Sequence, residues 1–425
     1  MRFCVTTLGC KANQYDTGTI VSILTENGHV SVKPGEGCDV CIINTCAVTA
    51  ESVRKSRQTV RKMKKLEPGA LVAVCGCHIK FDGKEAVLLG ADLTGGTNDR
   101  EEFANRIVEA VRATAPGRQR KHVGATAPGR PQKQITRTRA LLKIQDGCDN
   151  YCAYCIIPYI RGSSKSMPLN DITQKAKKLQ EQGYKEIVIT GIEISSWGKD
   201  LTPKQSLITA IKAISAATPQ VRLRLGSLDP QVLSGEFIQE LTQIPGLCNH
   251  FHISLQSGCD ETLKRMGRSY KTTEILKAIT LLRSKFADCA VTADLIMGFP
   301  GETDREYTQT LNFIQEATFS DMHVFPYSIR PGTAAESLPG HIEKEVRQKR
   351  AREVSMAAKK MKSEFMKSQI GKTKGVLFEE QKGNCSIGHS SNYLKIATLG
   401  KVNKNIIKNV LISSIKNGVL LGEIV

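Results

Sequence analysis

Two stretches of this chain alternate short apolar strands with amphipathic helices, which restricts the fold to parallel sheets joined by crossover helices. In the first stretch, residues 1–113, strands are expected at Phe3–Leu8, Val40–Asn44 and Leu71–Val74. Helices are expected over Asn13–Glu26, closed by Gly28, then from the second strand through about Lys65, and over Asn98–Ala113. This pattern predicts an open, flavodoxin-like α/β domain. The second stretch, residues 139–369, offers strands at Ala140–Ile144, Glu186–Thr190, Val221–Leu225, His252–Leu255, Val291–Met297 and His323–Phe325. Between them lie helical stretches at Asp171–Gln182, Pro203–Ala217, Thr273–Ser284 and Arg305–Ala317, and a charged helix over Glu343–Gln369 closes the unit. Six βα-type units predict a partial (β/α)6 barrel with its function at the strand C-termini. Residues 370–425 change character: short runs at Val376–Phe378, Leu394–Ala397, Ile406–Ile412 and Val419–Ile424, broken by Gly and Asn, predict a small β-barrel. Residues 114–138 are expected to be a flexible basic linker, with Ala-Thr-Ala-Pro-Gly-Arg at 113–118 and again at 125–130.

Charge narrows the partners. The 425 residues carry 60 Lys and Arg against 41 Asp and Glu, a net charge of +19. From Ala110 to Gln145 no residue is acidic, while Arg112, Arg118, Arg120, Lys121, Arg130, Lys133, Arg137, Arg139 and Lys143 are basic. A second basic run, Arg54–Lys65, falls on an expected helix. Charge runs are often only solvated faces, but two of them with a large net excess point to a polyanion, nucleic acid first. Fourteen cysteines without a hydrophobic leader segment fit metal-bound thiols in a reducing cytoplasm better than a disulfide scaffold. No apolar run is long enough to cross a membrane.

The chemistry is carried by cysteine spacing. Cys148, Cys152 and Cys155 form a C-x3-C-x2-C loop directly after the first barrel strand. Three thiolates can hold three corners of a four-iron cluster, and with no fourth cysteine nearby one iron stays open for a ligand. Zinc fingers and ribbons need a matching second pair, which this loop lacks. Tyr154 either shields the cluster, stacks on a flat ligand, or simply packs. Gly191 and Glu193, in Thr190-Gly-Ile-Glu193 after the second barrel strand, put a close-approach position and a carboxylate at the same mouth. Glu193 can hold an ammonium group there, or be an exposed polar residue. Asp294-Leu-Ile-Met-Gly-Phe-Pro-Gly-Glu-Thr303 joins strand to helix, with Thr303 and Glu306 set as a capping box.

A second set is spread over the N-terminal unit. Cys10, Cys46 and Cys77 each follow a strand, and the C-terminal ends of adjacent parallel strands share one sheet edge. They can converge on a second cluster with an open iron. A rival set, Cys38 and Cys41 with Cys75 and Cys77, would make a zinc site. Cys4, Cys38, Cys41 and Cys75 are otherwise ordinary buried thiols.

These motifs together resemble the radical S-adenosylmethionine methylthiotransferases over nearly the whole chain. The C-x3-C-x2-C loop with Tyr154 is similar to the radical-generating motif. Gly9-Cys-Lys-Ala-Asn-Gln14, Asn44-Thr-Cys-Ala-Val48 and Gly76-Cys77 resemble the N-terminal ligand motifs, while Leu255-Gln-Ser-Gly258 and Gly298–Thr303 resemble the barrel motifs. The C-terminal unit resembles the RNA-binding TRAM module. The resemblance implies two [4Fe–4S] clusters, one on Cys148, Cys152 and Cys155 and one on Cys10, Cys46 and Cys77, with S-adenosylmethionine as cofactor. It implies formation of a 5′-deoxyadenosyl radical, hydrogen abstraction from adenine C2, sulfur insertion and methylation, served by a low-potential electron donor and a sulfur donor. Thr7–Asp16 resembles the branch acting on N6-threonylcarbamoyladenosine in the tRNA anticodon loop. Cys75 and His78-Ile-Lys80 depart from the family pattern around Cys77. The alternatives are isopentenyladenosine or a ribosomal protein as substrate, or a non-catalytic, zinc-containing RNA-binding protein.

Overall fold

The computed structural model describes residues 1–81, 90–114 and 138–425. Most of the expected linker, residues 115–137 with the duplicated hexapeptide, lies outside the described residues.

The N-terminal unit is a five-stranded parallel sheet of β1 (Arg2–Thr7), β2 (Val30–Val32), β3 (Val40–Thr45), β4 (Leu71–Gly76) and β5 (Leu93–Gly95), in the order 2-1-3-4-5. That is the flavodoxin-like doubly wound order. Side chains alternate between its two faces. Phe3, Val40, Ile42, Ala73 and Cys75 pack under the helices Lys11–Glu26 and Arg100–Ala113. Cys4, Cys41, Ile43, Val72 and Val74 pack under the helix Ala50–Leu66 through Val60 and Met63. That helix opens on a Thr49 capping box with Ser52, and Arg54, Lys55, Arg61, Lys62, Lys64 and Lys65 line its exposed side. β2 and β5, three residues each, were not anticipated, because so short a run carries no readable period.

The central unit holds β6 (Ala140–Lys143), the small antiparallel pair β7 (Gln145–Asp146) and β8 (Lys165–Ser166), then β9 (Glu186–Thr190), β10 (Arg222–Leu225), β11 (Ser227–Leu228), β12 (His250–Gln256), β13 (Ala290–Met297) and β14 (Asp321–Pro326). β10 and β11 are one strand broken at Gly226, whose amide donates back to Ile189 O at 2.8 Å. The wall therefore has six parallel positions, as expected for a partial barrel. Outward residues such as Ile187, Ile189, Leu223, Ile253, Leu255, Val291 and Leu295 form the main core with the surrounding helices. Several positions on the opposite face of these strands are polar, among them Glu186, Arg224, His252, Thr292 and Asp294. The helices Gly235–Leu241 and Asp260–Arg265 were not foreseen. The Thr303–Glu306 capping box is formed as expected, and it opens the helix Asp304–Ala317.

The C-terminal strands β15 (Thr373–Lys382), β16 (Cys385–Ser390), β17 (Lys395–Leu399), β18 (Ile407–Lys416) and β19 (Val419–Ile424) close into a barrel around Val376, Phe378, Ile396, Val410, Ile412 and Leu420. It covers the N-terminal ends of the central strands. Arg222 donates to Gly375 O and His389 O, and Arg224 to Ser390 O and Ser391 O, at 2.9–3.1 Å. Both guanidiniums also grip Glu186, at 2.6 and 2.7 Å, which outweighs burial and holds that carboxyl down at about 2. The opposite end of the barrel is left for chemistry.

Candidate active site at the strand termini

Cys148, Cys152 and Cys155 sit on the loop leaving β7, at the C-terminal end of the barrel. The loop is fixed by backbone: Cys148 N donates to Gly162 O at 3.1 Å and Ala153 N to Met266 O at 2.9 Å. Gly147 has φ +70°, and a Cβ there would stand 2.0 Å from Ser163 O, so only glycine fits. Tyr154 packs beside Met266, Phe299, Tyr327 and Ala335. Arg268 donates from Nη1 to Cys152 Sγ at 3.3 Å and lies 2.9 Å from Asp229. Neither of those partners was legible in the sequence.

The second triplet forms where three strand ends meet. Cys10 precedes the helix Lys11–Glu26 and is exposed, Cys46 follows β3, and Cys77 follows β4; the last two are buried. Glycines bring the loops together. A Cβ on Gly9 (φ +96°) would lie 2.9 Å from Cys46 Cβ, and one on Gly76 (φ +99°) 2.2 Å from Asn44 Oδ1. Asn13 Nδ2 donates to Leu8 O and Thr45 O, both at 2.9 Å, tying the ends of β1 and β3. Cys77 packs with Ile156 and Ile160 of the segment that follows Cys155.

Ion pairs lock the two triplets to each other. Arg161 donates to Asp146 at 2.8 Å, Asn13 at 2.7 Å and Asp16 at 3.1 Å. Lys143 bonds both Asp16 and Asp146, and Arg100 reaches Asp16 at 2.9 Å. Burial pushes Cys77 and Cys148 up to about 11 and Cys155 to about 12, so these thiols stay protonated until a bound cation displaces the proton.

The donor set decides what metal group fits. Neither triplet is among the described groups whose ligand atoms lie within 4.8 Å of one another. A single zinc ion with bonds of about 2.3 Å needs sulfurs about 3.8 Å apart. The wider triplets suit a multi-iron cluster. The rival zinc set is not assembled: Cys75 faces the Lys11–Glu26 side of the sheet and Cys41 the other. The period-2 alternation of β3 and β4 separates them.

Beside the first triplet lies a cavity of about 490 Å³ lined by Asn150, Glu193, Trp197, Asp229 and Phe237, among others. Glu193 is mostly buried; burial, with Asp229 adding to it, pushes its carboxyl up to about 7. Gln145 clamps the turn, its Oε1 accepting from the amides of Ile192 and Glu193 at 3.1 and 2.8 Å. A Cβ on Gly191 would meet Gln145 O at 2.9 Å. Gln145 was missed because a lone glutamine carries no sequence signal.

Inside the barrel, Asp294 joins His252 and His323 at 3.1 Å each, and these bonds outweigh burial to hold its carboxyl well below the usual range. Hydrogen bonding to Asp294 raises His323. Lys11, next to Cys10, is half-buried here, close enough to Tyr393, Arg224, Arg139 and Asp294 for charge coupling, and desolvation lowers its ammonium.

Comparison with known proteins places this geometry. Residues 142–314 match the Radical SAM superfamily, and residues 2–92 match the Uncharacterized protein family UPF0004. The chain is 33% identical over 403 residues to the threonylcarbamoyladenosine tRNA methylthiotransferase MtaB of Bacillus subtilis, covering 93% of this chain and 89% of that one. The Thermotoga maritima protein of the same name is 34% identical, covering 93% of this chain and 91% of that one. A tRNA-2-methylthio-N(6)-dimethylallyladenosine synthase of Thermotoga petrophila is 31% identical, covering 90% and 87%. The radical S-adenosylmethionine methyltransferase TsrM of Kitasatospora setae shares the fold, with a TM-score of 0.56 at 14% identity over 79% of this chain and 76% of that one. The chain belongs to the radical S-adenosylmethionine tRNA methylthiotransferase family. It is a transferase that works with S-adenosylmethionine and two [4Fe–4S] clusters.

Proposed function

We propose that this enzyme adds a methylthio group to C2 of N6-threonylcarbamoyladenosine beside the tRNA anticodon. In this reading Cys148, Cys152 and Cys155 hold the cluster that serves S-adenosylmethionine, and Cys10, Cys46 and Cys77 hold the other. The polar barrel interior carries the choice of base. A threonylcarbamoyl group ends in a carboxylate and a hydroxyl, which need donors and cations. Lys11, His252 and His323 supply them, with Asp294 orienting the two imidazoles. An isopentenyl group would set hydrocarbon against these polar groups and offer them no further hydrogen-bond partner. The identity of 33–34% to relatives named for threonylcarbamoyladenosine supports the same choice.

The bound cluster and S-adenosylmethionine supply one-electron C–S cleavage, the chemistry needed to reach an inert adenine C–H bond. The chain does the positioning. Glu193 holds the cofactor's ammonium, Arg268 orients Cys152, and Arg161 sets the separation of the two triplets. Because the free Glu193 carboxyl sits at about 7 and must be ionised to pair with an ammonium, S-adenosylmethionine affinity should rise as pH climbs through about 7 and then level. Calorimetric titration checks this; a flat profile between about pH 6 and 8, or a Glu193→Gln variant with unchanged affinity, contradicts the role.

The exposed basic side of the helix Ala50–Leu66 holds the tRNA phosphates while the loop base is splayed out. Replacing Arg61, Lys62 and Lys65 by alanine should reduce the slope of log affinity against log salt by about 0.7–0.9 per lost phosphate contact. A slope equal to wild type means the RNA lies elsewhere. The substrate itself is tested by mass spectrometry of nucleosides from cells lacking the protein. We expect 2-methylthio-N6-threonylcarbamoyladenosine to vanish and its unthiolated precursor to accumulate. Loss of the methylthio isopentenyl nucleoside instead transfers the assignment to that base.

A further inference from the structure

Three cysteines outside both triplets meet on the other side of the N-terminal unit. Cys4 in β1 and Cys41 in β3 are register partners on the face covered by the helix Ala50–Leu66, and Cys38 lies in the turn entering β3. Their Sγ atoms stand 3.3 Å (Cys4–Cys41), 3.6 Å (Cys4–Cys38) and 3.6 Å (Cys38–Cys41) apart. Cys4 and Cys41 are buried and Cys38 is half-buried. At about 3.3 Å per strand residue, Cys4 and Cys41 lie roughly 10 Å or more from the strand ends that carry Cys10 and Cys46.

The arrangement is nearly equilateral, which neither a disulfide nor ordinary packing requires. A disulfide joins two sulfurs at about 2.0 Å and leaves the third aside. Apolar packing gains nothing from gathering three thiols on a face otherwise made of Val60, Met63, Val72 and Val74. A tetrahedral ion with bonds of about 2.3 Å to sulfur wants its ligands about 3.8 Å apart, so these three need to open by only a few tenths of an ångström. The loop bearing Cys38 is held by an outer carboxylate: buried Glu67 accepts from Gly35 N at 2.7 Å and Gly37 N at 3.3 Å through Oε1. Such supporting bonds are what set ligands in place around a metal.

We propose that Cys4, Cys38 and Cys41 form a three-thiolate site for zinc(II), separate from both iron–sulfur clusters, with water in the fourth position on the half-exposed Cys38 side. Sulfur ligands select a soft or borderline ion over magnesium or calcium. Binding converts three S–H groups to thiolates and releases their protons to solvent; no electron is transferred. The ion would staple β1, β3 and the turn before β3. Glu67 stands outside the group of atoms within 4.8 Å, so it supports the site without ligating the ion.

The test uses the full chain, purified anaerobically with about eight irons in place, then equilibrated with zinc and analysed by elemental mass spectrometry. About one zinc per chain is expected. Cys38→Ser, in a half-buried turn, should weaken zinc binding by more than the 10–100-fold typical of outer-shell changes, with iron, sulfide and circular dichroism unchanged. Cys248→Ser, a buried cysteine elsewhere, should keep the zinc. Cobalt(II) in place of zinc should give intense tetrahedral visible bands that vanish in Cys38→Ser. Zinc absent from the cluster-loaded protein, zinc retained by Cys38→Ser, or a Cys4–Cys41 disulfide found by peptide mapping each overturns the proposal.

Discussion

Replacing Cys152 with serine should abolish reductive cleavage of S-adenosylmethionine and remove about four of about eight irons, whereas Cys46→Ser should lose the other four or so irons and the methylthio product but keep cleavage. The asymmetry follows from where the two residues stand. Cys152 lies on the loop beside the cavity of about 490 Å³, with Arg268 bonded to its sulfur and Glu193 on the wall. Cys46 stands across the seam, at the end of β3, packed against Gly9 and bonded through its backbone to Ser56. Iron analysis checks that each variant keeps one cluster, and chromatographic detection of 5′-deoxyadenosine separates the two. Cleavage surviving in Cys152→Ser, or lost in Cys46→Ser with its remaining iron intact, reverses the assignment of the triplets.

Arg161→Leu should be the most damaging change away from the cysteines. Its guanidinium is buried and meets three partners that themselves come from both units, Asp146, Asp16 and Asn13. Removing it leaves two carboxylates with Lys143 and Arg100 as their remaining counter-charges among the described residues. Breaking a buried pair in this way typically costs about 3–5 kcal/mol, which lowers the melting of the affected unit by roughly 5–15 °C. The pH dependence has a definite sign. Burial raises Asp146, but Arg161 and Lys143 outweigh it and hold the carboxyl below its ordinary value. Its contribution to stability is therefore present above the ordinary carboxylate range and lost as pH falls through the lower folded value. Arg161→Leu should shrink that acid-side loss to the part Lys143 supplies. It should also uncouple the chemistry, so that S-adenosylmethionine is consumed with less methylthio product per turnover. Arg161→Lys, with one point charge in place of a planar fork, should fall between the two. A variant that melts within about 1 °C of wild type and keeps its product ratio contradicts the seam role.

What could be read from the sequence was whatever obeys local periodicity. The alternation located β1, β3, β4 and the six barrel positions, and the rule that parallel strands share a C-terminal edge allowed Cys10, Cys46 and Cys77 to converge, a set that the family resemblance then singled out. The rival zinc set fails because Cys75 and Cys41 occupy opposite faces of the sheet, a consequence of period-2 alternation that the sequence expectation did not weigh. β16, Cys-Ser-Ile-Gly-His-Ser, was invisible because its alternating positions are mostly small or polar. Gly226 hid the break between β10 and β11, since a glycine in a strand reads equally as a bulge or a bend. Gln145, Arg161, Arg268 and Asp229 escaped notice for another reason. Each acts through a partner far away in sequence, as Arg161 does on Asp16, and no spacing encodes such a meeting. The gathering of Cys4 with Cys38 and Cys41 is of the same kind, a product of strand register.

The substrate claim is tested most directly by offering the reconstituted enzyme two tRNAs at once, one carrying N6-threonylcarbamoyladenosine and one carrying N6-isopentenyladenosine, and digesting both for nucleoside mass spectrometry. The polar barrel interior predicts a mass increase for a methylthio group on the threonylcarbamoyl nucleoside, with the isopentenyl nucleoside unchanged and Lys11→Met suppressing the product. Methylthiolation of the isopentenyl nucleoside, or equal labelling of both, would contradict it.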